Sequence, residues 1–112
     1  MLTYQDIEER IIEFRNERDW AQFHNPKDLA ISIMLEASEL LETFQWSGTD
    51  LEVREKHSEM QEELADTVIY CILLANELGI DLLQAVDRKI DANKKKYPVE
   101  KSYGNSRKYT EL

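Results

Sequence analysis

Residues 25–46 read NPKDLAISIMLEASELLETFQW, and this stretch decides the fold. Asn25 can accept from the free N–H groups of a helix start, Pro26 suits the first helical position, and Asp28 falls in the first turn. Leu29, Ile33, Leu40 and Phe44 then fill one side of a helix, while Ile31 and Leu35 lie on another. The pattern predicts a helix to about Trp46, ended by the turn Ser47-Gly48-Thr49-Asp50. Two glutamates, Glu36 and Glu39, interrupt the apolar surface one turn apart.

Working outward, the flanking segments read the same way. A first helix runs from about Tyr4 to Asp19, with Tyr4, Ile7, Ile11, Phe14 and Arg18 on one stripe. An aromatic connection, Trp20 to His24, joins it to the second. A third helix spans roughly Arg54 to Leu78 and stops at Gly79. Asp81 caps a fourth that reaches about Tyr97, ahead of Pro98. Only three Gly and two Pro occur, too little turn chemistry for a many-stranded sheet. The expected fold is an all-α four-helix bundle, with residues 1–97 as the helical domain and 98–112 as an irregular basic tail. The second and third helices are apolar around most of their circumference, so a second subunit is expected to complete the bundle.

Charge is unevenly placed. The chain of 112 residues carries −9 overall; residues 1–87 hold 6 basic and 20 acidic groups, and residues 88–112 hold 8 basic and 3 acidic. An acidic body argues against duplex nucleic acid, whose phosphates need a broad basic face. It suits a protein that concentrates cations. No run approaches the ~18 apolar residues of a membrane span, and the acidic start is unlike a signal peptide, so a cytoplasmic location is expected. The single Cys71 sits in an apolar run and reads as a buried, inert thiol.

Four acids matter most. Glu36 and Glu39 on the second helix, and Glu63 and Asp66 on the third, form two i,i+3 pairs. Residues three apart share a helix face, so two such helices packed together bring four carboxylates to one place. Anions crowded in a low-dielectric groove repel one another, and a bound divalent cation resolves the conflict. Mg²⁺ suits such a site because it takes a few carboxylates, keeps waters and bridges phosphates. A lone Glu-x-x-Glu is most often a solvated face; two matched pairs on the most apolar helices outweigh that reading. Glu42, Glu59 and Glu62 read as neighbours that could support the site.

With these motifs in view, the chain resembles the MazG-like all-α NTP pyrophosphohydrolases, and within them the dCTP pyrophosphatase branch and its bacterial relatives. The resemblance runs through Glu17-Arg18-Asp19-Trp20, Phe23-His24-Asn25-Pro26, Phe44-Gln45-Trp46, Glu62-Glu63-Leu64-Ala65-Asp66, Lys89-Ile90-Asp91-Ala92-Asn93, Lys96-Tyr97-Pro98 and Ser106-Arg107-Lys108-Tyr109. It implies cleavage of a (deoxy)nucleoside triphosphate between its α- and β-phosphates, with Glu36, Glu39, Glu63 and Asp66 as catalytic Mg²⁺ ligands. It also implies that Trp20, Phe23, His24, Trp46 and Tyr70 line the nucleoside pocket, that Asn93 lies close to it, and that the pocket is assembled between subunits of a homodimer, often paired into a homotetramer. One departure touches base preference: Ile11 stands where some dCTP-preferring relatives have a polar, His-type residue.

Residue-level reading agrees at several points. Asn93 shares a stripe with Leu82, Val86, Ile90 and Tyr97, where a lone amide needs a hydrogen-bond partner. Lys89 and Lys96 flank that face and can reach phosphates. Trp20, Phe23 and Trp46 fall at helix ends, where aromatics either seal a core or stack a base. Other classes stay open. An acidic helical adaptor would use the apolar faces for partners, and within the family dUTP or a modified nucleotide could be the substrate. A di-iron oxidase is disfavoured, because neither His24 nor His57 has a Glu three residues earlier.

Overall fold

The computed structural model describes all residues, 1–112, and contains helices and turns but no strand. The long helices are α1 (Tyr4–Glu17), α2 (Pro26–Glu42), α3 (His57–Leu78) and α4 (Leu82–Lys96), followed by a single turn, α5 (Val99–Ser102). Short 3-10 turns occur at Trp20–Phe23, Arg54–Lys56 and Tyr109–Glu111. The chain divides into two compact units, Met1–Gly79 and Ile80–Leu112. No single helix is long and apolar enough to cross a membrane.

Local chemistry sets the helix ends. Thr3 opens α1 with a capping box: its hydroxyl accepts from the Asp6 N–H at 3.1 Å, and the Thr3 N–H donates to the Asp6 carboxylate at 3.0 Å. Asn25 caps α2 by accepting from the Asp28 N–H at 2.9 Å, with Pro26 behind it as the spacing predicts. Asp81 does the same for α4 through the Gln84 N–H, at 3.1 Å. Gly79 ends α3 at φ +67°, a conformation that costs a residue without Cβ nothing.

Three boundaries differ from the periodicity. Helix α1 ends at Glu17, because Asp19 turns to φ +54°. Helix α2 ends at Glu42, where the Thr43 hydroxyl turns back to the Leu40 carbonyl at 2.7 Å, and Phe44 to Trp46 form a turn. Helix α3 starts at His57, after a 3-10 turn held by Val53 in the left-handed region at φ +45°. Asp50 pins that turn by accepting from the Glu52 and Val53 N–H groups, and the Val53 side chain is buried.

In the first unit α2 packs along α3, and α1 lies on α3. Glu36 groups with Asp66 and Ile69, whereas Thr43 groups with Lys56 and Glu59, so α2 and α3 run antiparallel. Leu29, at 1% exposure, is the most deeply buried large side chain; Ile11, Ile72, Leu73 and Ala75 complete the core. Cys71 is half-buried rather than fully enclosed. The other apolar faces remain open, notably Ile31, Met34, Leu35 and Leu41 on α2 and Leu64 and Val68 on α3. In the second unit the ring of Tyr109 meets Tyr97 edge-on at 5.9 Å and lies under the Lys96 ammonium at 4.9 Å.

Candidate functional site

Antiparallel packing of α2 on α3 turns two i,i+3 spacings into one cluster. Carboxylate oxygens of Glu36, Glu39 and Glu63 lie within 4.8 Å of one another. One oxygen each of Glu36 and Glu63 is buried and has no hydrogen-bond partner. Orphaned acceptors of this kind are costly unless a cation or proton meets them. The crowding also favours the protonated form: hydrogen bonding to Glu39, then burial, pushes the Glu63 carboxyl up to about 7. Burial, followed by hydrogen bonding with and repulsion from Glu39, raises Glu36 as well. Three hard oxygen donors at this spacing fit a small divalent cation. Asp66 stands apart from this triad and reaches Glu36 electrostatically.

Cavities open on both sides of the cluster. One, of about 490 Å³, is lined by Glu36 and Asp66 at the acids and by Trp20, His24 and Tyr70, all five named from sequence. Its remaining wall is Ile7, Arg10, Ile11, Phe14 and Arg15 from α1, with Ile69 and Leu73 from α3. The other cavity, of about 400 Å³, is acidic: Glu39, Glu42, Glu59, Glu62 and Glu63 line it, with Thr43, Gln45 and Lys56. Glu42, Glu59 and Glu62, which the sequence left open, therefore sit beside the cluster.

The aromatic segment is held in place from α1. Phe14 meets Trp20 edge-on at 5.7 Å between centroids, and the Arg18 guanidinium covers the Phe14 ring at 3.7 Å. Trp20 thus presents itself to the cavity, and His24 offers a buried Nδ1 that has no hydrogen-bond partner. Phe23 and Trp46 line neither cavity. Trp46 is 92% exposed and sits at φ +66°, an uncommon conformation for a bulky residue. Lys89, Asn93 and Lys96 lie exposed on α4, in the second unit.

The α1 wall is what the residue reading missed. Ile7, Ile11 and Phe14 were visible as a stripe, yet a core stripe and a cavity wall look alike in a pattern. Arg10 and Arg15 carried no motif at all.

With this geometry in place, comparison with known proteins is informative. The model of the MazG-like family matches residues 31–112. The mouse dCTP pyrophosphatase 1 is 42% identical over 98% of this chain and 68% of its own length, and the human protein of that name is 44% identical with the same coverage. A pyrophosphatase structure from Archaeoglobus fulgidus superimposes with a TM-score of 0.77 at 42% identity, covering 84% of this chain and 91% of that one.

Proposed function

The chain belongs to the MazG-like family and is a nucleotide pyrophosphohydrolase, and we propose that it converts dCTP to dCMP and pyrophosphate with Mg²⁺ held by Glu36, Glu39, Glu63 and Asp66. The observation that carries this reading is the pair of orphaned carboxylate oxygens, on Glu36 and Glu63, inside a 4.8 Å triad that borders an aromatic-lined cavity. Bound Mg²⁺ would supply charge neutralisation on the phosphates and a lowered pKa for the attacking water. The residues do the rest. Trp20 and Tyr70 offer faces for the base, and His24 a ring nitrogen for a polar group of the nucleoside. Glu36 or Glu39 orients the water and takes its proton, while the new bond forms at the α-phosphorus and the α–β bridge breaks. Phosphoryl transfer of this type depends on positioning and charge stabilisation more than on covalent chemistry from the protein.

Two features extend the proposal beyond one chain. The open apolar faces of α2 and α3, with Met34 66% and Leu41 71% exposed, suit burial against a second copy in a homodimer or a dimer of dimers. Trp46, held out from the surface at positive φ, suits insertion into the partner copy's nucleoside pocket. The catalytic domain is taken as 1–97, with the basic tail 98–112 following it, and Lys89, Asn93 and Lys96 of α4 are kept as candidate nucleotide contacts.

Product analysis tests the chemistry. With Mg²⁺ and a panel of dCTP, 5-methyl-dCTP, dUTP, dTTP, dATP, dGTP and CTP, anion-exchange chromatography should show monophosphate and pyrophosphate, largest for dCTP and absent with EDTA. Diphosphate with orthophosphate would overturn the bond assignment, and a larger rate on dUTP or a modified nucleotide would overturn the substrate.

A further inference from the structure

We propose that Arg10 is a specificity-determining residue, its guanidinium fork reading the adjacent acceptors N3 and O2 of the cytosine base. The inference rests on the 490 Å³ cavity being the nucleoside pocket. All the acids of that cavity come from α2 and α3, and α1 contributes none. Phosphates drawn to a cation at the acids therefore leave the α1 wall facing the far end of the nucleotide, the base.

Arg10 is the free cation of that wall. It makes no hydrogen bond, and the structure's only ion pair joins Arg54 to Glu52, so its guanidinium is more than 4.0 Å from the Glu36 and Asp66 carboxylates despite sharing their cavity. A guanidinium at the phosphate end would already be paired with those acids. The neighbouring cations are engaged. Arg15 donates to Asn16 and Asn76, both at 3.1 Å, and Arg18 covers Phe14. Around Arg10 the α1 wall is otherwise apolar Ile7, Ile11 and Phe14 and the engaged Arg15, so Arg10 is its one uncommitted group that could read a base edge.

Chemistry then selects the base. A guanidinium has donors only, in a planar fork. Cytosine offers it two neighbouring acceptors, whereas uracil and thymine place an N3–H donor beside O2, which leaves one arm facing a donor. A bidentate pair of this kind discriminates by about tenfold to a hundredfold.

The test is kcat/KM for dCTP, dUTP and dTTP, with Mg²⁺, in the wild type, Arg10→Gln and Arg10→Lys, alongside the melting temperature of each. Arg10→Gln should lower kcat/KM for dCTP about tenfold to a hundredfold through KM, lower dUTP and dTTP far less so that the dCTP:dUTP ratio falls, and melt like the wild type. Arg10→Lys, a point donor without the fork, should recover only part of the preference. An unchanged dCTP:dUTP ratio in Arg10→Gln would overturn the proposal, as would equal losses on all three substrates or full preference in Arg10→Lys. Wild-type protein inert toward every nucleotide defeats the proposed function itself, a result distinct from an active wild type indifferent to the substitution.

Discussion

Mg²⁺ should stabilise this protein strongly at pH 8 and less at pH 6, and Glu63→Gln should remove most of both the gain and its pH dependence. Without a cation, the Glu63 carboxyl stands at about 7 against an ordinary 4.5. The folded chain therefore binds more protons than the unfolded chain between those values, so its stability falls as pH rises through that window. A cation must displace the proton, so it competes poorly at low pH. At pH 8, Mg²⁺ at about one hundred times its Kd adds about 2.7 kcal/mol. With an unfolding entropy of about 2.1 cal/mol/K per residue over 112 residues, that is about 11 °C in melting temperature. At pH 6 the raised Glu63 carboxyl holds its proton against the cation, so the same Mg²⁺ concentration gives a clearly smaller gain. Differential scanning fluorimetry at constant ionic strength, with NaCl replacing MgCl₂ in the controls, reads both gains. Equal gains at the two pH values, or a wild-type gain in Glu63→Gln, would refute the assignment of this cluster as the cation site.

Other consequences follow from particular residues. Glu63→Gln should abolish pyrophosphate release while leaving the far-ultraviolet circular dichroism helical; near wild-type turnover would remove Glu63 from the site. Leu29→Ala empties the most deeply buried large side-chain position of the core and should cost about 2–5 kcal/mol in urea unfolding, with little change in slope. Asn25→Ala deletes the α2 cap and should cost about 1 kcal/mol by the same measurement. Trp46→Ala should raise KM for the nucleotide and weaken self-association by sedimentation, since no contact within the chain accounts for so exposed an indole; unchanged KM and mass would make it a surface residue.

Much of the molecule was legible in order. Capping and stop chemistry is local, so Asn25, Gly79 and Asp81 announce helix ends that the structure reproduces. Apolar spacing marks α1 to α4, and the two i,i+3 acid pairs stand out because they interrupt it. The α2 end was less legible: Ala30 to Trp46 keeps helical periodicity, yet Thr43 satisfies the Leu40 carbonyl with its side chain and the backbone leaves the helix about four residues early.

What the sequence alone determined is the helical order, the caps and the identity of the acids, since these depend on residues within a turn or two of one another. Only the tertiary structure decided that Glu36, Glu39 and Glu63 converge while Asp66 stands toward the cavity, because that depends on how α2 and α3 are rotated and set in register. The same holds for the α1 wall. Whether Ile11 and Arg10 meet a packed core or an open cavity is fixed by the volume left between α1 and α3, a quantity no single helix carries in its own pattern.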